Sequence, residues 1–339
     1  MIFVTGGTGL VGSRLLAFLA TDESNEIIAL KRASSNLQWV KKVFSRKFIN
    51  PEKYFNRIQW VDGDILDYFF LEDIITQGAE VFHAAAMVSF QKKEASRVRQ
   101  INVEGTHNIV NVCLKNKVKK LAFVSSIAAL GRGQTGRATT ENDFRTTSLG
   151  SSVYSASKFE AENEVWRGIA EGLNAVIINP SVILGSGNWK TGSTELFNTV
   201  YKGLKFYTRG TNGYVDADDV AKVLILLMNS DISGERYVVS QGNYSYQELF
   251  KMIANEFGKN GPAFYASPFL SGIAWRTLAF ISFFTRKQPL ITKETAHSAN
   301  AFYQYSSEKL IQQTGFEFTP LEKTIASVCM DYFNEHQKD

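Results

Sequence analysis

The sequence predicts an α/β protein built on a doubly wound, mainly parallel sheet. Short apolar runs of the kind that forms buried strands alternate with longer segments of helical periodicity through the first 180 residues. A glycine-rich turn joins the first apolar run to the first helical segment. Such alternation produces βαβ units, in which helices cover both faces of a parallel sheet. With 339 residues, the chain can bury a large core and hold one or two domains.

Strands and helices follow one another in order along this N-terminal part. The strands are predicted at 2–5, 27–30, 58–61, 80–83, 120–124 and 175–179. The helices are predicted at 10–20, 36–47, 68–76, 97–115 and 152–171. Ligands of such sheets bind beyond the carboxyl ends of the strands, where glycine, serine and proline motifs lie in this sequence.

After about Pro180 the pattern changes to glycine-punctuated loops and scattered elements. These are predicted at 195–202, 217–229, 236–240, 246–257, 268–284 and 321–334. We expect residues 1–180 to form the sheet domain and residues 181–339 to form mainly a smaller, mixed lobe. Residues 217–240 are expected to pack back on the sheet.

The first strand is followed at once by a glycine-rich loop and a helix. Glycines permit a tight turn and close approach of a ligand to the backbone, and the helix start supplies free N–H groups and a positive dipole. This strand–loop–helix context predicts a pyrophosphate site in a Rossmann-type fold. The loop residues expected to bind the cofactor are Gly6, Thr8, Gly9, Leu10, Val11 and Gly12.

The end of the second strand indicates which dinucleotide is bound. An NAD site usually has an acidic residue here, which accepts a hydrogen bond from the ribose 2′-hydroxyl. This chain has Lys31, Arg32, Ala33, Ser34 and Ser35 instead. Cations and hydroxyls suit a 2′-phosphate, and the fork of an arginine matches phosphate oxygens best. We therefore expect NADP(H), with NAD(H) as the alternative.

Tyr154 and Lys158 lie four residues apart in Tyr-Ser-Ala-Ser-Lys, so a helix would place both on one face. A phenol with a pKa of about 10 is a poor catalyst near neutrality, and a fixed neighbouring cation would lower that pKa. A hydroxyl from the upstream Ser125-Ser126 pair could hold a substrate oxygen beside the phenol. These groups suit proton transfer to or from an alcohol or carbonyl oxygen.

Together these motifs resemble the extended short-chain dehydrogenase/reductase superfamily over nearly the whole chain. Further segments match in the family's order, at 63–67, 83–86, 102–106, 123–126, 179–182 and 213–221. The basic end of the second strand and the residues of the last segment, 213–221, resemble those of one branch of the superfamily. That branch contains dihydroflavonol reductases, related carbonyl reductases and 3β-hydroxysteroid dehydrogenases.

The resemblance implies roles for the matching residues. Ser126, Tyr154 and Lys158 would be catalytic, and Asn102 would support them through a bent helix and a water. The C-terminal lobe would bind the substrate, and the helices at 97–115 and 152–171 would form a homodimer interface. Besides the glycine loop, Tyr154 and Lys158, the implied cofactor contacts are Lys31, Arg32, Asp64, Ile65, Ala84, Ala85, Ala86, Ser125, Pro180, Ser181 and Val182.

The expected reaction is hydride transfer from NADPH to a ketone or aldehyde, or its reverse. Tyr154 would donate the proton, Ser126 would hydrogen-bond the substrate oxygen, and Lys158 would hold the nicotinamide ribose and lower the phenol pKa. A bulky, apolar substrate is favoured by aromatic residues expected over the pocket. These are Trp189, Phe197, Phe206, Tyr207, Tyr214, Phe264, Tyr265, Phe269 and Trp275.

Three other functions are compatible with parts of these motifs. A nucleotide-sugar epimerase with tightly bound NAD needs the same triad, and its diphosphate could be held by Lys190, Lys202, Lys205 and Arg209. A sugar-nucleotide dehydratase is disfavoured because apolar Ile127-Ala128-Ala129 follows Ser126 where an acidic pair is needed. A non-catalytic NADP(H) sensor would generally lack the tyrosine or the lysine, and both are present.

Charge and composition exclude other classes. Residues 31–57 carry eight Lys or Arg against one acid, Glu52, and this basic helix is expected to turn its apolar face inward and its basic face to solvent. No nucleic-acid role is expected. Residues 268–284 are too short and interrupted for a membrane span of about 20 residues, although they could touch a membrane surface.

The scattered histidines and the isolated Cys113 and Cys329 predict neither a metal site nor disulfides. The first strand begins at Ile2, which leaves no room for a signal segment, so we expect a cytoplasmic protein.

Overall fold

The computed structural model describes residues 1–131, 133, 136–149, 151–267 and 299–336. The N-terminal strands are β1 (Ile2–Thr5), β2 (Ile27–Lys31), β3 (Ile58–Asp62), β4 (Glu80–His83), β5 (Lys120–Val124) and β6 (Ala175–Pro180). The helices that alternate with them are α1 (Leu10–Leu19), α2 (Gln38–Lys47), α3 (Pro51–Phe55), α4 (Tyr68–Ile74), α5 (Ala95–Arg99), α6 (Gly105–Lys115) and α7 (Val153–Ala170).

The C-terminal part contains shorter strands and more separate helices. The strands are β7 (Val182–Leu184), β8 (Phe206–Tyr207), β9 (Thr211–Asp216), β10 (Glu235–Val239), β11 (Gly242–Ser245) and β12 (Phe264–Tyr265). The helices are α8 (Thr194–Tyr201), α9 (Ala217–Met228), α10 (Tyr246–Glu256), α11 (Glu308–Thr314) and α12 (Leu321–His336). The helix predicted at 268–284 falls outside the described residues.

Within the described ranges, seven parallel strands form the central sheet, in the order β3-β2-β1-β4-β5-β6-β10. The chain winds outward from β1 to β3, restarts at β4 on the other side of β1, and then winds outward to β10. The crevice beyond the carboxyl ends of β1 and β4 is therefore the topological switch point, where such sheets bind ligands. The predicted Rossmann-type sheet is confirmed.

A smaller, mixed sheet accompanies the central one. In this sheet, strand β9 pairs in parallel with β7 and antiparallel with β11; β8 and β12 form a separate two-stranded sheet. Strand β10 joins the edge of the large sheet beside β6, and α9 packs against α1. We accordingly propose that residues 1–180 and 217–240 form the dinucleotide-binding domain and that the remainder of 181–339 forms the substrate lobe.

Apolar side chains cover both faces of the large sheet. Phe3 and Val4 are neighbours on β1 and belong to different buried clusters, as alternating strand residues should. One cluster lies under α1 and α9, and the other lies under α6 and α7. A third cluster around Phe197, Tyr214 and Tyr332 holds the C-terminal lobe together.

The helix predicted at 97–115 is interrupted in the structure. Helix α5 passes through a wide π-helical turn, Gln100–Glu104, before α6 continues the same path. Such turns commonly occur at functional sites because they re-aim a side chain. Here the turn contains Asn102, which is buried.

Several short elements are not predicted by the sequence pattern. Strands β8 and β12 have two residues each, so no periodicity can reveal them. They form because distant segments meet, as in the pairing of Phe206 with Phe264. Helices α3 and α11, with five and seven residues, are also missed, together with β7, β9 and β11.

The expectation that the basic face of α2 lies in solvent is met only in part, because Lys41 is exposed but other cations of this face bind acids of the C-terminal lobe. Lys42 binds Glu335 at 2.6 Å, and Arg46 binds both Glu335 and Asp331, the latter at 3.2 Å. Both acids lie on α12, and the aromatic ring of Trp39 packs against the third apolar cluster. Helix α2 therefore ties the sheet domain to the C-terminal lobe.

Candidate active site

One large cavity of about 2820 Å³ opens at the carboxyl ends of the strands, between the sheet domain and the C-terminal lobe. It is lined by most of the residues that the sequence selected. These are Gly6, Thr8, Gly9, Leu10, Val11, Gly12, Ala84, Ala86, Ser125, Ser126, Tyr154, Lys158, Pro180, Ser181 and Val182. The glycine loop and the Ser-Tyr-Lys set thus share one space.

The glycine loop is shaped by contacts that no side chain could enter. Gly6 has φ +72°, and a Cβ there would lie 2.5 Å from the carbonyl carbon of Ala84. A Cβ on Gly12 would overlap the carbonyl oxygen of Gly6. Only glycine lets the first turn of α1 approach β1 and β4 this closely.

The start of α1 is suited to a phosphate group. The helix begins after Gly9 without a side-chain cap, so its first N–H groups remain available to a ligand. These groups carry partial positive charge, and the loop backbone can approach the ligand closely. The cradle therefore fits the pyrophosphate of a dinucleotide.

The residues expected around the adenosine end lie outside the main cavity. Lys31 forms an ion pair with Asp62, its neighbour across β2 and β3. No side-chain partner of Arg32 is found in the described part of the chain, so its guanidinium is available. The Oδ1 of Asp64 accepts a hydrogen bond from the Leu66 amide at 3.1 Å, and Ile65 is buried.

Of the three alanines after His83, only Ala84 and Ala86 face the cavity. The Ala85 side chain packs into the apolar cluster beside α6, because successive residues of an extended chain point to opposite sides. Its amide donates to the Thr5 hydroxyl at 3.3 Å and thereby joins β4 to β1. Ala85 thus shapes the floor of the site without lining it.

Ser126 and Tyr154 lie close together, near enough for the serine hydroxyl to lower the pKa of the phenol. The Ser126 hydroxyl also accepts from the Ala128 amide at 3.1 Å, which fixes its rotamer at the start of a short helical turn. Tyr154 lies on the first turn of α7, which Ser152 caps by accepting from the Ser155 amide. The resulting pair of oxygens could hold a carbonyl oxygen between them.

The pKa of Tyr154 does not shift in the direction that the sequence analysis expects. Burial raises this pKa above its ordinary value, and the nearby Ser126 hydroxyl offsets only part of the rise. The phenol consequently stays protonated near neutral pH. That form is the one that can donate a proton.

Lys158 lies one turn further along α7 and is buried. Its ammonium donates to the Val124 carbonyl at 2.7 Å and lies 4.7 Å from the centre of the Phe123 ring. Burial lowers the pKa of Lys158 to about 8, and the negative charge of Glu162 opposes this fall. Lys158 is therefore a cation at neutral pH that titrates not far above it.

Asn102 makes several hydrogen bonds within the protein and does not line the cavity. Its Nδ2 donates to the Met87 carbonyl at 3.0 Å and to the Ser157 hydroxyl at 2.9 Å, and its Oδ1 accepts from the Met87 amide at 2.7 Å. Ser157 in turn donates to the carbonyl of Tyr154 at 2.8 Å. Asn102 thus fixes the loop after β4 and the start of α7 relative to each other.

His83 is a structural residue. Burial lowers the pKa of His83 to about 3, so the ring is neutral. The Thr106 hydroxyl donates to the Asn102 carbonyl at 2.6 Å and must therefore accept from His83 Nε2 at 3.0 Å. His83 Nδ1 then accepts from Thr5 at 2.7 Å. This chain links β1, β4 and the π-helical turn.

The aromatic residues expected over the pocket divide into two groups. Phe206, Tyr207 and Tyr214 line the cavity, whereas Phe197 belongs to the core of the lobe. Trp189 also belongs to that core, Phe264 and Tyr265 pair with β8 outside the described lining, and positions 269 and 275 are not described. Phe90, which the sequence analysis did not select, packs edge-on against Tyr154, with the two ring centroids 5.7 Å apart.

Sequence reasoning also missed a buried carboxylate next to the catalytic set. Glu162 lies one turn beyond Lys158, and its oxygens bind Ser125, Asn179 and Arg236. Extending the four-residue spacing from Tyr154 through Lys158 would have found it. Its partner Arg236 comes from β10, and no local pattern indicates that contact.

No helix in the described ranges is long and apolar enough to cross a membrane. Over the same ranges, no cluster of three or more His, Cys, Asp or Glu side chains is arranged to hold a metal ion.

A doubly wound sheet whose switch point holds a glycine cradle and a Ser-Tyr-Lys set is the arrangement of the extended short-chain dehydrogenases/reductases. The family model described as NAD dependent epimerase/dehydratase family matches residues 2–240. The chain therefore belongs to the NAD-dependent epimerase/dehydratase family.

Individual relatives are similar over almost their whole length. A dihydroflavonol 4-reductase-like protein of Synechocystis sp. is 26% identical over 343 residues, which cover 98% of this chain and 94% of that protein. Sterol demethylase protein B of Methylococcus capsulatus is 23% identical over 339 residues, which cover 98% of this chain and 98% of that protein. The crystal structure of gox2253 is 25% identical with a TM-score of 0.80, covering 99% of this chain and 98% of that one.

A first prediction concerns the cradle. Gly12→Ala should weaken binding of the dinucleotide, NADPH or NADH, about 10- to 100-fold, because relieving the overlap with Gly6 costs about 1–3 kcal/mol and moves α1 away from the turn. Fluorescence titration would measure the dissociation constant. Gly187→Ala is the matched control, since its Cβ would make ordinary 3.4 Å contacts in the same cavity. Equal affinities of the two variants would contradict the assignment.

Proposed function

We propose that this protein is an NADP(H)-dependent oxidoreductase that reduces a ketone or aldehyde, or oxidises the matching secondary alcohol. The observation that carries the proposal is the convergence of Ser126 and Tyr154 at one end of the cavity, with Lys158 one helical turn away. All three line the cavity that contains the glycine cradle. The reductases among the relatives support the same reaction class.

Bound NADPH would supply the hydride. Ser126 would then hydrogen-bond the carbonyl oxygen and hold it beside the phenol of Tyr154. Tyr154 would donate its proton to this oxygen as negative charge develops there. The raised pKa of Tyr154 supports this role, because a phenol that holds its proton at neutral pH is ready to donate it.

Lys158 would stabilise the phenolate that remains after proton transfer. An ammonium near the developing phenolate lowers the free energy of that form. In the protein alone, the Lys158 ammonium is held by the Val124 carbonyl, at the level of the cavity floor. From this position it could also donate to a ribose hydroxyl of the cofactor.

Arg32 supports a preference for NADP(H) over NAD(H). Seven of the eight cations between residues 31 and 57 have partners within the protein, either acids or, for Arg57, backbone carbonyls. For Arg32 none is found in the described ranges, and it follows β2 directly. Its free, planar guanidinium is suited to a 2′-phosphate.

The walls near Tyr154 support an apolar substrate. The ring of Phe90 packs against the phenol, and Met87, Val88 and Leu130 line the adjoining part of the cavity. Such walls bind a carbon skeleton by burial of apolar surface and exclude water from the reacting oxygen. A homodimer formed through α6 and α7 belongs to the same proposal and rests on the resemblance. A cytoplasmic location belongs to it as well and is supported by the free cysteines Cys113 and Cys329, which suit a reducing compartment.

The epimerase alternative receives less support from the geometry. It needs cations for a nucleotide diphosphate, and Lys190, Lys202, Lys205 and Arg209 were its candidates. All four are exposed, and none is among the described residues that line the cavity. Arg209 instead lies over the ring of Tyr265 at 4.5 Å.

Mass spectrometry of protein purified without added cofactor would separate the two functions. We expect NADP(H) to be retained, alone or with an apolar small molecule. Recovery of NAD together with a UDP- or GDP-linked sugar would instead establish the epimerase.

The catalytic assignment predicts that Tyr154→Phe lowers kcat by about 10²- to 10⁴-fold, because the proton donor is lost. NADPH affinity should stay within about twofold of the original, since the phenyl ring still fills the same space. The assay follows NADPH oxidation against a panel of ketones and aldehydes. Tyr237→Phe removes a phenol that binds Gln313 outside the described cavity lining and should leave turnover unchanged. Normal turnover by the Tyr154 variant would refute the mechanism.

The cofactor assignment predicts that Arg32→Gln weakens NADPH binding about 10- to 100-fold, as expected for one charge-assisted hydrogen-bonding group. NADH binding should not change, because NADH has no 2′-phosphate. Lys31→Gln should have the smaller effect, since Lys31 is already paired with Asp62. Isothermal titration calorimetry of each variant with NADPH and with NADH tests this prediction. Equal losses for NADPH and NADH would show that Arg32 does not read the phosphate.

A further inference from the structure

Glu162 occupies the same face of α7 as the two catalytic residues. Tyr154, Lys158 and Glu162 follow one another at four-residue spacing, so their side chains form one row along the helix. Glu162 is 2% exposed, as is Lys158. A carboxylate is rarely buried to this extent unless other groups compensate its charge.

Both carboxyl oxygens of Glu162 accept hydrogen bonds. Its Oε2 accepts from the Ser125 hydroxyl at 2.5 Å and from Asn179 Nδ2 at 2.7 Å. Its Oε1 accepts from Arg236 Nη1 at 2.8 Å and from Trp166 Nε1 at 3.3 Å. Arginine, asparagine and tryptophan nitrogens are donors only, so both oxygens serve as acceptors.

These bonds fix the three residues at the end of β5 that carry the catalytic serine. Val124 is held through its carbonyl by Lys158, and Ser125 is held through its hydroxyl by Glu162. Ser126 is held through its carbonyl by Asn179 Nδ2 at 3.0 Å, and the same nitrogen binds Glu162. One carboxylate is thus in contact, directly or through Asn179, with Ser125 and with the backbone of Ser126.

Glu162 also acts on Lys158 through its charge. Among the described residues, the titratable groups that interact with Lys158 are Glu162, one turn further along α7, and neutral His83 from β4, while Tyr154 lies one turn before it on the same helix. Burial lowers the pKa of Lys158, and Glu162 is the anion that keeps it from falling further. Arg236 neutralises the other carboxylate oxygen, from β10.

We propose that Glu162 is a positioning residue of this active site, which holds the Ser125-Ser126 segment in place and sets a negative charge one helical turn from Lys158. The part of this inference that concerns catalysis rests on the function proposed above. The part that concerns the charge of Lys158 does not, so the two can fail separately.

The direct test is the pKa of Lys158 in Glu162→Gln, measured without any substrate. The protein is labelled with [6-¹³C]lysine, the Lys158 Cε signal is assigned with Lys158→Arg, and its shift is followed against pH. Glutamine keeps the size of the side chain and removes the charge, so the pKa should fall by about one unit from about 8. An unchanged pKa would overturn the electrostatic half of the proposal.

Glu164→Gln is the matched control. Glu164 lies two residues further along the same helix, where it pairs with His107 and Arg167 towards solvent. Its loss should leave the pKa of Lys158 unchanged. If Glu162→Gln fails to fold because Arg236 then lacks a counter-charge, the double variant with Arg236→Gln removes both buried charges. A smaller fall in the pKa of Lys158 is expected in that protein, because loss of the Arg236 cation offsets part of the effect.

The catalytic half is tested by the pH profile of kcat with a carbonyl compound that the unaltered protein reduces. Because the ammonium stabilises the phenolate, activity should decline as pH rises through the pKa of Lys158. In Glu162→Gln this alkaline limb should move about one unit lower, which makes kcat about fivefold lower at pH 8. Glu162→Asp keeps the charge and should restore the limb. A uniform loss at all pH values would show that Glu162 is only structural.

Discussion

The contact between α7 and the last residues of β5 is the constraint on which the site depends. Strand β5 ends at Val124, and the following two serines leave the sheet at the edge where the cavity opens. Helix α7 presents Tyr154 and Lys158 to these residues, so the phenol and the ammonium are placed by backbone geometry rather than by flexible loops. Rigid elements hold catalytic groups more closely than loops can.

Burial favours the uncharged forms of the two titrating groups of this site, Tyr154 and Lys158. The Tyr154 phenol has a raised pKa because its ionised form is penalised, and the Lys158 ammonium has a lowered pKa for the same reason. A protonated phenol beside a cation is the starting state that a reduction needs, since the cation then stabilises the product of proton transfer. The expectation that Lys158 alone lowers the phenol pKa ignored this burial, which a sequence cannot give.

Local patterns were enough to predict the sheet domain. Strands β1, β4 and β5 begin and end where their apolar runs do, and the glycine cradle follows from residue type and position. The π-helical turn at Asn102 and the Glu162–Arg236 pair were not predicted, because each depends on a partner distant in the chain. The two-residue strands of the lobe are invisible for the same reason.

The basic helix α2 shows that the net charge of a segment does not by itself identify a binding surface. Its excess positive charge looks like a surface for an anionic partner, yet Lys42 and Arg46 bind acids of α12, almost 300 residues away. Glu335 also accepts from the Trp189 indole at 3.2 Å, so the same acid anchors the segment that follows β7 along the cavity. The position of the C-terminal lobe is thereby set from the sheet domain. If the lobe binds the substrate as proposed, a change in its sequence can alter which substrate fits, while these ion pairs keep the lobe over the candidate catalytic residues.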